Sequence, residues 1–116
     1  MRDFHNYKVW EKGHKFALSI YRKTKSFPKD ELFGITSQIR RAATSIPFNI
    51  AEGCGRRSDS EFALFLNIAA GSASEVEEEL LLSYDLEYMD KTSYQLLDKE
   101  VNDIKAMLNK LIETLH

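Results

Sequence analysis

Between Leu97 and Leu115 the apolar residues Leu97, Val101, Ile104, Leu108, Leu111 and Leu115 step by four, three, four, three and four. A strand would bury every second residue. This spacing instead sets all six along one side of an α-helix and calls for other helices to cover them. The same arithmetic recurs upstream: Ile35, Ile39, Ala42, Ala43, Ile46 and Ile50 form one stripe, and Phe62, Phe65, Leu66, Ala69, Ala73, Val76 and Leu80 another. In the first segment Trp10, Phe16, Ala17 and Ile20 face inward. No segment alternates apolar and polar residues, and only two prolines and five glycines interrupt the chain. The spacing predicts an all-α domain over residues 1–116, with helices over about 7–25, 29–53, 59–87 and 92–115.

Local chemistry sets the expected boundaries. Pro28 steers Phe27 out of the helical region and ends the first helix. The second is expected to start near Lys29, with Asp30 and Glu31 at the positive end of its dipole. Pro47 removes a donor and crowds the Ala43 carbonyl, which predicts a bend. Gly53 or Gly55 then takes a left-handed cap. Ser58-Asp-Ser-Glu61 and Thr92-Ser-Tyr-Gln95 read as capping boxes, and Tyr88-Met89-Asp90 as the last turn. Four helices with short links imply an antiparallel up-down-up-down four-helix bundle. Leu64, Ile68 and Leu82 lie off the main stripe of the third helix, and Ala69-Ala70-Gly71-Ser72 is small-sided, which points to burial on two sides and self-association.

Several function classes drop out. Cys54 is the single cysteine, so no internal disulfide forms, and a small buried thiol is the reading for it. No apolar run reaches the roughly 18 residues of a membrane span and no signal peptide is visible, so a cytoplasmic, non-membrane protein is expected. A di-metal bundle site needs two Glu-x-x-His motifs, and only Glu11-Lys-Gly-His14 is present, with His5 and His116 near the termini. Gly53-Cys-Gly55 lacks the lysine and spacing of a phosphate loop. The Glu75, Glu77, Glu78, Glu79 cluster reads as an acidic solvent face with at most one member inward. No catalytic residue, metal or cofactor is assigned.

The run Gln38-Ile-Arg-Arg-Ala-Ala-x-Ser-Ile-Pro-x-Asn-Ile-Ala-Glu-Gly53, followed by Arg56-Arg-Ser58 and Glu61-Phe-x-x-Phe-Leu-x-Ile-Ala-x-Gly-Ser72, resembles the bacterial four-helix-bundle proteins labelled 23S rRNA-intervening sequence proteins. Val9-Trp10, Phe27-Pro28, Phe33-Gly34 and the Met107–Ile112 segment agree, so the resemblance spans nearly the whole chain. It implies an antiparallel bundle assembling as a homopentamer, and it carries no catalytic residues. A related group, the accessory variability proteins of diversity-generating retroelements, is strongly basic, whereas this chain has a net charge of −2.

That net charge hides an asymmetry. Residues 1–57 carry 12 positive and 5 negative groups, a net +7, while residues 58–116 carry 4 and 13, a net −9. The candidate phosphate contacts are Arg40, Arg41, Arg56 and Arg57, since a guanidinium matches phosphate oxygens with paired hydrogen bonds. The competing reading pairs Arg41 with Glu52 or Glu75. Ser45 and Asn49 share the polar stripe of Arg41 and Glu52, and Asn49 is expected to satisfy the Ala43 carbonyl across a subunit contact. Two functions follow: a non-catalytic oligomer that binds RNA or a ribonucleoprotein through its basic half, or a protein-interaction scaffold whose charge split pairs subunits or partners without nucleic acid.

Overall fold

Four α-helices carry the chain: α1 (Lys8–Thr24), α2 (Ile35–Cys54), α3 (Asp59–Asp85) and α4 (Lys91–Glu113). The structure is a computed structural model describing residues 2–115, so His116 lies outside the described residues. Single 3-10 turns at Phe4–Asn6 and Lys29–Glu31 precede α1 and α2, and no strand occurs among the described residues. At 1.5 Å per residue the 27 residues of α3 span about 40 Å, matching the 43 Å long axis of the molecule. Each helix packs on the next in sequence, and α1 packs on α4.

The stripes read from spacing meet inside. Phe16 and Ile20 of α1, Ile39, Ile46 and Ile50 of α2, Phe62, Leu66, Val76 and Leu80 of α3, and Val101, Ile104 and Leu108 of α4 are fully buried. Each such side chain contributes about 1.5–3 kcal/mol by leaving water. Leu111 and Leu115 are half-buried against this cluster. Trp10 is also half-buried, its ring stacked on His14 at 5.1 Å between centroids. Cys54 is buried, and that burial pushes its thiol pKa up, keeping it protonated.

The boundaries differ from expectation in ways that single contacts explain. Helix α2 begins at Ile35, not near Lys29; Asp30 and Glu31 sit in the 3-10 turn, where Glu31 accepts a 2.7 Å hydrogen bond from the Tyr88 hydroxyl. The left-handed residue is Glu87 (φ 65°), and neither Gly53 nor Gly55 has positive φ. The Glu87 and Tyr88 amides donate to the Tyr84 and Ser83 carbonyls, each at 2.9 Å, closing the end of α3. The α4 cap is Asp90, whose carboxylate accepts from the Ser93 amide at 2.9 Å, not Thr92. Ser58 does cap α3, its Oγ accepting from the Glu61 amide at 3.1 Å, while Glu61 accepts from the Ser58 hydroxyl.

Gly53 has a steric role instead of a conformational one. A Cβ there would lie 2.9 Å from Phe65 Cβ and 3.0 Å from Phe62 Cδ1, so α2 and α3 approach too closely for any side chain. Gly13 makes a tight but less exclusive contact between α1 and α2, where a Cβ would lie 3.1 Å from Ile46 Cγ2. Gly53→Ala is therefore expected to destabilise the fold by about 1–3 kcal/mol through overpacking, read as a lower urea midpoint with an unchanged slope.

Candidate nucleic-acid interface

Neighbouring helical residues point about 100° apart, and each arginine doublet is split accordingly. Arg40 turns toward α1: its Nε donates to Thr24 Oγ1 at 2.8 Å and its guanidinium lies 4.9 Å over the Tyr21 ring. Arg41 is exposed, with no carboxylate at ion-pair distance among the described residues. Arg56 is half-buried. Its guanidinium covers the Phe65 ring at 4.7 Å and its Nη2 donates to Glu52 at 3.1 Å, one helical turn back. Arg57 is exposed and, among the described residues, also has no ion-pair partner. Arg40 and Arg56 stand about four turns apart, on the order of 20 Å along α2, so the four arginines form no single patch.

The expected pairing of Arg41 with Glu52 or Glu75 is not made. Glu52 pairs with Arg56, and Arg41 acts on the α3 acids only through space. Asn49 is likewise committed within its own helix, donating to the Ser45 carbonyl and to Ser45 Oγ, both at 2.8 Å. Ser45 Oγ meets Ser72 Oγ of α3 at 2.9 Å. The sequence reading missed Arg2, which clamps the corner between α2 and α3. It donates to the Arg56 carbonyl at 2.9 Å, pairs with Asp59 and covers the Phe62 ring at 4.4 Å. No local pattern in the sequence marks it, because all three partners lie more than 50 positions away.

Beside this polar seam, one member of the acidic cluster turns inward. Glu79 is 8% exposed and its Oε1 has no hydrogen-bond partner. Burial, then the charge of Glu75 and a hydrogen bond with it, push the Glu79 carboxyl up to about 7, against the pull of Arg41. Among the described residues no group of three or more His, Cys, Asp or Glu side chains is placed to hold a metal ion. Among the described residues no helix is long and apolar enough to cross a membrane.

A sequence model of the 23S rRNA-intervening sequence protein family matches residues 5–110. Among solved structures, a protein of unknown function from the S23 ribosomal protein family of Bacteroides thetaiotaomicron superposes with a TM-score of 0.84 at 31% identity, covering 90% of this chain and 95% of its own. Among curated protein sequences none is significantly similar.

Glu79 has a consequence for stability. The folded chain holds its proton between the ordinary carboxylate value of 4.5 and about 7, where the unfolded chain has released it. Stability therefore falls as pH rises through that window, by on the order of 2–3 kcal/mol from this group. Urea unfolding at pH 5 and pH 8 should show the loss, and Glu79→Gln should abolish most of it.

Proposed function

The chain belongs to the 23S rRNA-intervening sequence protein family, and from that premise we propose that it is a non-catalytic oligomer that binds RNA, or a ribonucleoprotein, through its basic N-terminal half. The carrying observation is the exposed pair Arg41 and Arg57, free of carboxylates at ion-pair distance among the described residues. Guanidinium groups without internal partners are available to phosphates. The net +7 of residues 1–57 supplies a field that attracts a polyanion. The family description names 23S rRNA, which supports the same direction. Arg56 is a supporting residue in this reading: it holds Glu52 and Phe65, and its replacement costs stability more than binding.

The assembly is a homopentamer of antiparallel up-down-up-down bundles acting in the cytoplasm. Cross-helix contacts support the alternating direction: Gly13 lies by Ile46 while Arg40 reaches Thr24, and Glu77 pairs with Lys105 while Tyr84 stacks on Tyr94. Self-association is supported by apolar residues left in water on the α2 and α3 flank, Phe48 at 67% and Leu64 at 57% exposed, with Ile68, Leu82 and Leu86. The α3 members recur at helical spacing along one side.

Two measurements test this. RNA retention by the purified chain should fall steeply with salt, and Arg41→Ala with Arg57→Ala should lower the log–log slope by about one per lost phosphate contact without unfolding the protein. Retention that is absent at low ionic strength, or indifferent to salt, overturns the RNA reading. Light scattering should give five times the 13.4 kDa chain mass, and Leu64→Asp with Ile68→Asp should reduce it. A mass already equal to one chain defeats the pentamer.

A further inference from the structure

The opposite end of α2 from Arg57 holds a second cationic feature, and it is concave. Between the end of α1, the Lys29–Glu31 turn and the first turn of α2 lies a cleft of about 410 Å³, within the roughly 300–1,000 Å³ of small-ligand sites. Lys25, Lys29 and Arg40 line it together with the hydroxyl residues Thr24 and Thr36, and Phe27 adds an apolar wall. Among the described residues no carboxylate residue lines it. Glu31 accepts from the Tyr88 hydroxyl with Oε2, and its Oε1 lies beside Gly34 at the start of α2.

Two side chains in this cleft are held ready and left incomplete. The Thr24 hydroxyl donates to the Ile20 carbonyl at 2.8 Å and accepts from Arg40 Nε, which together with the Tyr21 ring fixes the guanidinium plane. Arg40 Nη2 reaches the Tyr21 carbonyl only at 3.5 Å, and Nη1 has no partner among the described residues. Thr36 is 3% exposed, and its Oγ1 is buried without a hydrogen bond. Thr24, Thr44 and Thr114 each turn the hydroxyl back to a carbonyl three or four residues earlier. Thr36 does not, because residues 32–34 before it are not helical. The α2 N-cap is Gly34, which has no side chain of its own to accept from the first-turn amides; the Glu31 carboxylate lies beside it.

We infer that this cleft binds a single phosphate group, carried by a small phosphoester or by the end of an RNA chain. Arg40 presents its fork to two phosphate oxygens, and the Thr36 hydroxyl donates to the phosphate, gaining the partner it lacks. Lys25 and Lys29 add charge at the rim. The site is separate from Arg41 and Arg57, and the test below keeps the two readings apart.

Inorganic phosphate titrated into the full chain at fixed ionic strength should raise Tm above an equal ionic strength of sodium chloride. Amide shifts in NMR should centre on Thr24 and Thr36. Arg40→Gln should weaken phosphate binding at least tenfold. Thr36→Val keeps the shape and removes the orphan hydroxyl, so it should raise Tm without phosphate yet weaken phosphate binding about tenfold. Phosphate binding unchanged in Thr36→Val and Arg40→Gln, shifts centred on Arg57, or no phosphate-specific change in Tm would each overturn the proposal, whatever salt-sensitive RNA retention shows. A 5′-phosphorylated oligoribonucleotide that displaces phosphate where its unphosphorylated twin does not assigns the group to RNA ends. Displacement by glycerol phosphate alone assigns it to small phosphoesters.

Discussion

The arrangement depends on α2 lying against α3 at a contact that admits no side chain, and against α1 at one that leaves little room for it. A methyl at Gly53 would meet Phe65 and Phe62 of α3, and one at Gly13 of α1 would meet Ile46 of α2. A glycine inside a helix costs roughly 1 kcal/mol relative to alanine, so its presence at both contacts marks how much the close approach contributes. Fully buried alanines continue the same seam, Ala43 on α2 with Ala69 and Ala73 on α3. The Ser45–Ser72 hydrogen bond at its outer edge needs the same short spacing. The tight junction also brings Asp59 and Phe62 near Arg56, where Arg2 can hold them together. Arg57 is left outside that knot.

The four helices were legible because apolar periodicity is a local signal, and a core built from stripes needs little else. Their ends were less legible because a cap is decided by one hydrogen bond among near-equivalent candidates. Asp90 and Thr92 stand two positions apart, and the carboxylate of Asp90 takes the Ser93 amide. Lys29–Glu31 carries charges suited to a helix start, yet it forms a 3-10 turn and α2 begins at Ile35; Glu31 accepts from Tyr88 with one oxygen and sets the other beside the Gly34 N-cap. The left-handed turn falls on Glu87, a residue with no intrinsic preference for it, because the end of α3 demands that conformation there.

The arginines show the same division between local and non-local information. As text, Arg40-Arg41 and Arg56-Arg57 are equivalent basic doublets. In three dimensions one member of each doublet lies over an aromatic ring, Arg40 on Tyr21 and Arg56 on Phe65, and the other is exposed. Helical geometry predicts that two neighbours cannot share one environment, but which ring receives which guanidinium depends on the packing of α1 and α3. A doublet therefore carries about half the surface charge that its sequence suggests. A basic patch has to be assembled from residues distant in the chain.

Among the described residues three buried polar side-chain atoms lack hydrogen bonds: Arg56 Nε, Glu79 Oε1 and Thr36 Oγ1. Their chemistry gives them different remedies. The Arg56 guanidinium lies on the Phe65 ring, whose face offsets part of the loss. Glu79 can take a proton, and its raised pKa is the measure of that relief. Thr36 has neither route, since a hydroxyl carries no charge to set against a ring and does not titrate near neutral pH. An acceptor from outside the chain is the remaining remedy, and the cleft beside it is lined by cations rather than by carboxylates. The polarity of that lining selects an anion over a neutral acceptor, and the fixed fork of Arg40 selects one with two oxygens to offer.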